Sequence, residues 1–133
     1  MTDAPISIID KIETRASILF LRSDGIMHVH FKDIDELLTD DITDAVNGLY
    51  GIGGGKKFLI FLTFENFFII DKEIRKLAAT EISGKYTIAD AFVVNSIALK
   101  LLINFYIAFN KPSRPTRLFD SEEKAVEWLK SFL

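Results

Sequence analysis

Few residues in this chain are spaced for chemistry. The run Gly51-Ile52-Gly53-Gly54-Gly55, followed by Lys56 and Lys57, invites comparison with a phosphate loop. A Walker A loop needs a glycine where Tyr50 stands and a hydroxyl residue where Lys57 stands. A dinucleotide fingerprint runs from strand into helix, whereas this cluster closes a helix and leads into a strand, so no helix N-terminus meets a phosphate. The cluster reads as a helix-ending turn. His28 and His30 are two apart on an alternating segment and share one strand face. Such a pair binds zinc or copper when carboxylates converge on it. Spacing supplies no third ligand, and Lys32 on the same face repels a cation, so no metal site is expected. Six acids (Asp33, Asp35, Glu36, Asp40, Asp41 and Asp44) fall within twelve positions that hold no base. The ordered oxygen pattern of a calcium loop is missing, which leaves a solvated helix face or a surface for a basic partner. No G-x-S-x-G elbow occurs. Lys111, Arg114 and Arg117 make a basic patch too small to suggest nucleic acid. The expectation is a protein that is not an enzyme, with no catalytic residues and no cofactor.

Composition narrows the classes further. A chain of 133 residues with 49% hydrophobic and 26% charged residues has a globular composition and the length of a single domain, expected over residues 1–133. It has no cysteine, so disulfides, thiolate metal sites and cysteine nucleophiles are all excluded. The net charge of −3 argues against a general nucleic-acid binder. Met1-Thr2-Asp3-Ala4-Pro5 lacks the basic flank and long apolar run of a secretory signal, and a cytoplasmic location is expected. The apolar stretch from Ala91 to Phe109 is broken by Asn95, Ser96, Lys100 and Asn104. It reads as a buried strand followed by a buried helix, not as a membrane span.

The remaining periodicities order the elements. Ile6 to Ile12 is a strand candidate. Ala16 to Leu21 and Ile26 to Phe31, joined at Ser23-Asp24-Gly25, predict a β-hairpin with Met27, Val29 and Phe31 facing the core. Thr39 is the expected N-cap of a helix starting near Asp40, with Ile42, Val46 and Leu49 on one face. Phe58 to Phe64 is a nearly continuous apolar run, as in a parallel strand buried on both faces. Asp71 to Ile82 predicts a second helix with Ile74, Leu77, Ala78 and Ile82 on its apolar stripe. Ile88 to Val94 is another strand, Ser96 caps a buried helix over Ile97 to Phe109, and Arg117 to Phe119 is a short last strand. Asp120, with Glu123 three residues on, is the expected cap of a final helix buried through Ala125, Trp128, Leu129 and Phe132. Alternating strands and helices imply an α/β fold with a mixed, mainly parallel sheet, an N-terminal β-hairpin and about four helices.

With this order in view, three segments resemble the STAS (SpoIIAA-like) superfamily, closest to bacterial members grouped with STAS/SEC14-like domains. They are Phe58-Leu59-Ile60-Phe61-Leu62, Ala89-Asp90-Ala91-Phe92-Val93-Val94, and Arg117-Leu118-Phe119-Asp120 with Ala125-Val126-Glu127-Trp128-Leu129. The resemblance covers about residues 16–132 and implies helices packed mainly on one side of a curved sheet. Better-known members antagonise anti-sigma factors and are switched by phosphorylation of a serine after the middle strand. The matching stretch here, Thr63-Phe64-Glu65-Asn66-Phe67-Phe68, has no serine and no glycine, and Thr63 is the nearby hydroxyl.

The resemblance and the phenylalanine-rich segment together imply a non-enzymatic protein-interaction module, regulatory in kind. Its expected surface is Thr63, Phe64, Glu65, Asn66, Phe67 and Phe68 together with Asp40, Asp41 and Asp44, and its partner is an unspecified protein. The alternative is a carrier of a small apolar ligand or lipid, motivated by twelve phenylalanines and the SEC14-like kinship. That alternative requires a closed cavity beside the third helix. A homodimer through the face of His28 and His30 is a third reading.

Overall fold

The computed structural model describes residues 5–133, so of the segment read for a secretory signal, Met1 to Pro5, residues 1–4 lie outside them. Six strands form one sheet: β1 (Ile8–Glu13), β2 (Ser17–Arg22), β3 (Met27–Phe31), β4 (Phe58–Phe64), β5 (Thr87–Val93) and β6 (Thr116–Phe119). Their order in space is their order in sequence. β1, β2 and β3 pair antiparallel, and β3 through β6 pair parallel. The sheet is therefore mixed and mainly parallel beyond its N-terminal hairpins.

Four α-helices accompany it: α1 (Thr39–Gly53), α2 (Lys72–Ala78), α3 (Ile97–Phe105) and α4 (Glu122–Lys130). Successive right-handed crossovers that all step the same way along a sheet must land on the same face. Accordingly α1, α2 and α3 share one side, packed on Val29, Phe31, Ile60 and Phe92. α4 follows the last strand, has no strand to return to, and covers the other side through Ala125 and Leu129 against Leu59, Phe61, Ala89 and Ala91. The apolar run of β4 thus faces two cores, and alternation assigns Phe58, Ile60 and Leu62 to one and Leu59 and Phe61 to the other. α1 approaches β2 closely at Gly48, where an added Cβ would lie 2.9 Å from Leu19 Cδ2. The glycine cluster does end α1: Gly54 adopts the left-handed conformation at φ 60° and its N–H donates to Tyr50 O.

Several boundaries and faces differ from those expected. The N-cap of α1 is Leu38, not Thr39, because the Asp41 carboxylate reaches back to accept the Leu38 N–H at 2.7 Å. α2 stops at Ala78. Beyond it the Thr80 and Ser83 hydroxyls both donate to Leu77 O, and Arg114 Nη1 donates to Ala78 O, so side chains take the carbonyls that further helix would have used. Ile82, expected on the buried stripe, is exposed in the turn that follows. α4 is capped by Ser121, whose Oγ accepts from Lys124 N, in place of Asp120, and Phe132 lies partly exposed past its end. The helix over Ile97 to Phe109 is α only to Phe105 and continues as a π-helical turn, Tyr106–Asn110. It is not buried on most sides: Leu99, Ile103 and Tyr106 face inward while Ile97, Leu101, Phe105 and Phe109 face out. Among the described residues no helix is long and apolar enough to cross a membrane.

Candidate functional site

The helical layer does not close completely over the sheet. Between them lies a cavity of about 110 Å³. Its floor is Val29, Phe31, Ile60, Leu62, Phe64 and Phe92 of the sheet, and its walls come from Ile42, Val46 and Leu49 of α1 and Ile74 and Ala78 of α2. Leu102, Ile103 and Tyr106 of α3 and its π-helical turn form the third wall. Strand alternation and helical spacing put large apolar side chains on every one of these surfaces.

One end of the cavity is polar. Asp90 on β5 and Arg114, in the loop before β6, both line it and form an ion pair at 2.8 Å from Nε to Oδ2. Both are almost fully buried, and Arg114 also donates to Ala78 O, so the pair ties the end of α2 to the sheet. Burial pushes the Asp90 carboxyl up, against the pull of Arg114. Burial likewise raises the Tyr106 hydroxyl above its ordinary range, so it remains a neutral donor. Arg75 of α2 also lines the cavity: its Nη1 donates to Ile70 O, while its Nε is buried with no hydrogen-bond partner among the described residues. A buried orphan donor beside apolar walls suits an amphipathic guest with an acceptor at one end.

A second concavity opens at the carboxyl ends of β4 and β5. This cleft of about 400 Å³ is lined by Thr63, Glu65, Asn66 and Phe67 on one side and Val94, Asn95 and Ser96 on the other. The predicted interaction segment is thus divided in two. Phe64 and Phe68 belong to the core, Phe64 stacked on Phe31 at 5.1 Å and Phe68 buried. Phe67 is about half exposed on the cleft rim. The Glu65 carboxylate accepts from Asp33 N at 2.8 Å, pinning the loop before α1.

The acids of α1 also separate. Asp40 and Asp44 are exposed. Asp41 is 1% exposed, accepting from Arg15 Nη2 at 2.6 Å and from Leu38 N. It organises a helix start and is withdrawn from any partner-facing surface. Its burial alone would raise its carboxyl, but the Arg15 guanidinium and the Leu38 N–H prevail and hold it below the usual carboxylate range.

His28 and His30 are joined by a residue that sequence reasoning placed in a different setting. The Thr63 hydroxyl lies 2.6 Å from His28 Nε2 and 2.8 Å from His30 Nδ1. The hydroxyl oxygen accepts from both imidazoles, or accepts from one and donates to the other, according to the ring tautomers. The parallel register pairs His30 with Thr63, and that pairing was the signal available only from strand order. His28 also stacks on Phe61 at 4.3 Å, and burial, with His30 beside it, lowers its pKa to about 4. It stays neutral at ordinary pH. Phosphorylation of Thr63 would have to break both contacts. No group of three metal-ligating side chains occurs among the described residues.

The DUF7793 family, a domain of unknown function, matches residues 19–133. The chain belongs to that family. No match was found among curated proteins. In structure this DUF7793 domain is similar to an uncharacterised DUF3478-family protein with a SpoIIAA-like fold from Shewanella loihica PV-4. That similarity has a TM-score of 0.50 at 14% identity and covers 97% of this chain and 98% of the other. The fold is therefore SpoIIAA-like, as the sequence resemblance implied. A protein of unknown function from Arthrobacter sp. FB24 is 20% identical, with 89% of this chain and 95% of that chain covered and a TM-score of 0.27.

Proposed function

We propose that the protein is a non-catalytic carrier of a small amphipathic molecule, held between the sheet and α1, α2 and α3. The observation behind this reading is the cavity itself, apolar on three walls, ending in Tyr106 and the Asp90–Arg114 pair and also lined by Arg75. No hydroxyl or carboxylate there is set against a general base in the manner of a nucleophile, so binding rather than turnover is the activity inferred. At about 110 Å³ the cavity is somewhat smaller than the ~150 Å³ apolar cavity known to accept benzene, so it takes a short acyl or ring-sized group as it stands. A longer chain requires α3 to move outward. Native mass spectrometry of protein purified without denaturation tests this reading. Added mass that disappears on denaturation is the expected result. A bare chain that also takes up no hexanoate when offered it overturns the reading.

The second reading, a protein-interaction module, draws on a different observation: Phe67 half exposed on the rim of the β4–β5 cleft, with Asp40 and Asp44 exposed on α1. Charge reversal at Asp40 and Asp44 then weakens capture of a basic partner, whereas the same change leaves loading of the cavity intact.

A further inference from the structure

A helix that is apolar all round is ordinarily enclosed by protein or by lipid. The segment formed by α3 and its π-helical turn is apolar except at Lys100, Asn104 and Asn110, yet it is enclosed on one side only. Leu99, Ile103 and Tyr106 are buried against the domain. On the opposite side Ile97, Leu101, Phe105 and Phe109 recur every four residues and are 78%, 67%, 45% and 71% exposed. Phe105 and Phe109 stack on one another at 4.5 Å, so the two rings form one continuous apolar surface. Ala98 and Ala108 fall between these residues and are exposed too. A stripe of this size is beyond the scattered exposed apolar residues that need no account.

Charge selects what covers it. Between Ala91 and Phe119 the chain has no Asp or Glu, although the molecule as a whole carries −3. Lys100 lies one helical position from the stripe, and Lys111 stands two residues past Phe109. The acids of α1 gather between Asp33 and Asp44 at its start, and those of α2, Asp71 and Glu73, lie at the beginning of that helix. A second copy of the chain would bring this basic border against itself, with no acid in the segment to compensate. An apolar face edged by cations matches the boundary between acyl chains and anionic headgroups.

We infer that the outer face of α3 and its π-helical turn docks on an anionic lipid surface. Ile97, Leu101, Phe105 and Phe109 enter the acyl boundary, and Lys100 and Lys111 meet the headgroups. The face is independent of the cavity, since its side chains point away from it, and vesicle binding is read whether or not the cavity holds a guest.

The test is co-sedimentation of the full chain with vesicles of phosphatidylcholine alone and of phosphatidylcholine mixed with phosphatidylglycerol. The expected result is binding to the mixed vesicles that weakens as salt is raised, and much weaker binding to the neutral ones. Leu101→Glu, at a solvent-facing position, lowers binding at least tenfold while thermal unfolding followed by circular dichroism stays unchanged. Lys100→Gln with Lys111→Asn removes the preference for the anionic vesicles and leaves the weak neutral binding. No binding to mixed vesicles overturns the inference. So does a solution dimer that Leu101→Glu dissociates, because the face is then a contact between copies.

Discussion

At the scale of single residues, Asp41 shows how little an acidic run says about its members. Its neighbours Asp40 and Asp44 remain in water, while Asp41 accepts hydrogen bonds from Arg15 and Leu38 N inside the fold. The sequence displays six equivalent acids, because the partner that distinguishes one of them lies 26 positions earlier, in the link between β1 and β2. Replacing Asp41 by Ala strands the Leu38 N–H and removes the anchor of the helix start, a loss of about 2–3 kcal/mol in urea unfolding at neutral pH. The pH dependence has a definite sign. The folded carboxyl lies below its unfolded value of 3.8, so its contribution is complete above that value and fades as pH falls through the lower folded pKa. The gap between wild type and Asp41→Ala is therefore expected to close in strong acid. A gap that widens on acidification would contradict the assignment. The same limit on legibility applies to Thr63, which reads as an isolated hydroxyl until the β3–β4 register sets it between His28 and His30.

At the scale of elements, the strands were the legible part. β4 and β5 announce themselves by apolar runs that need faces on both sides, and the observed β4 coincides with the run from Phe58 to Phe64. Helix ends were less legible, because α2 is stopped by hydrogen bonds from Thr80, Ser83 and Arg114, the last contributed from a loop more than thirty residues away. The burial of α3 was misread for another reason: hydropathy counts apolar residues and does not tell whether protein or something else covers them. α3 packs chiefly on its own π-helical turn and β6, whereas α1 packs on β1, β2 and α2, so α3 has fewer tertiary contacts to lose on opening. Amide hydrogen exchange should be faster along α3 than in the middle of α1, which is held between β2 and α2. Equal protection in the two helices would argue that α3 is no lid.

On the scale of the whole molecule, the cavity is an incompletely packed region, and filling it is expected to have two opposite effects. Ala78→Leu places a larger apolar side chain at the cavity wall. If the space is spare, the melting temperature rises by several degrees, in line with roughly 1 kcal/mol of added burial in a domain of this size. Uptake of a small guest should fall in the same variant. Lower stability with unchanged uptake would place the binding elsewhere. No pattern in the sequence reported this cavity directly, because each of its walls is an ordinary apolar face. Only the mutual arrangement of three helices over the sheet leaves the gap.

The unbroken order of the strands has a consequence for how the chain acquires its shape. Every strand finds its partner in the one made immediately before it. No strand has to wait for a distant segment or be threaded between two already paired. The antiparallel pairs close over short turns, and each parallel pair closes over one crossover that contains a helix. The sheet can therefore grow in the direction of synthesis, with β1 to β3 paired while the remainder is still emerging. α4, made after all six strands, then seals the face that no crossover helix covers.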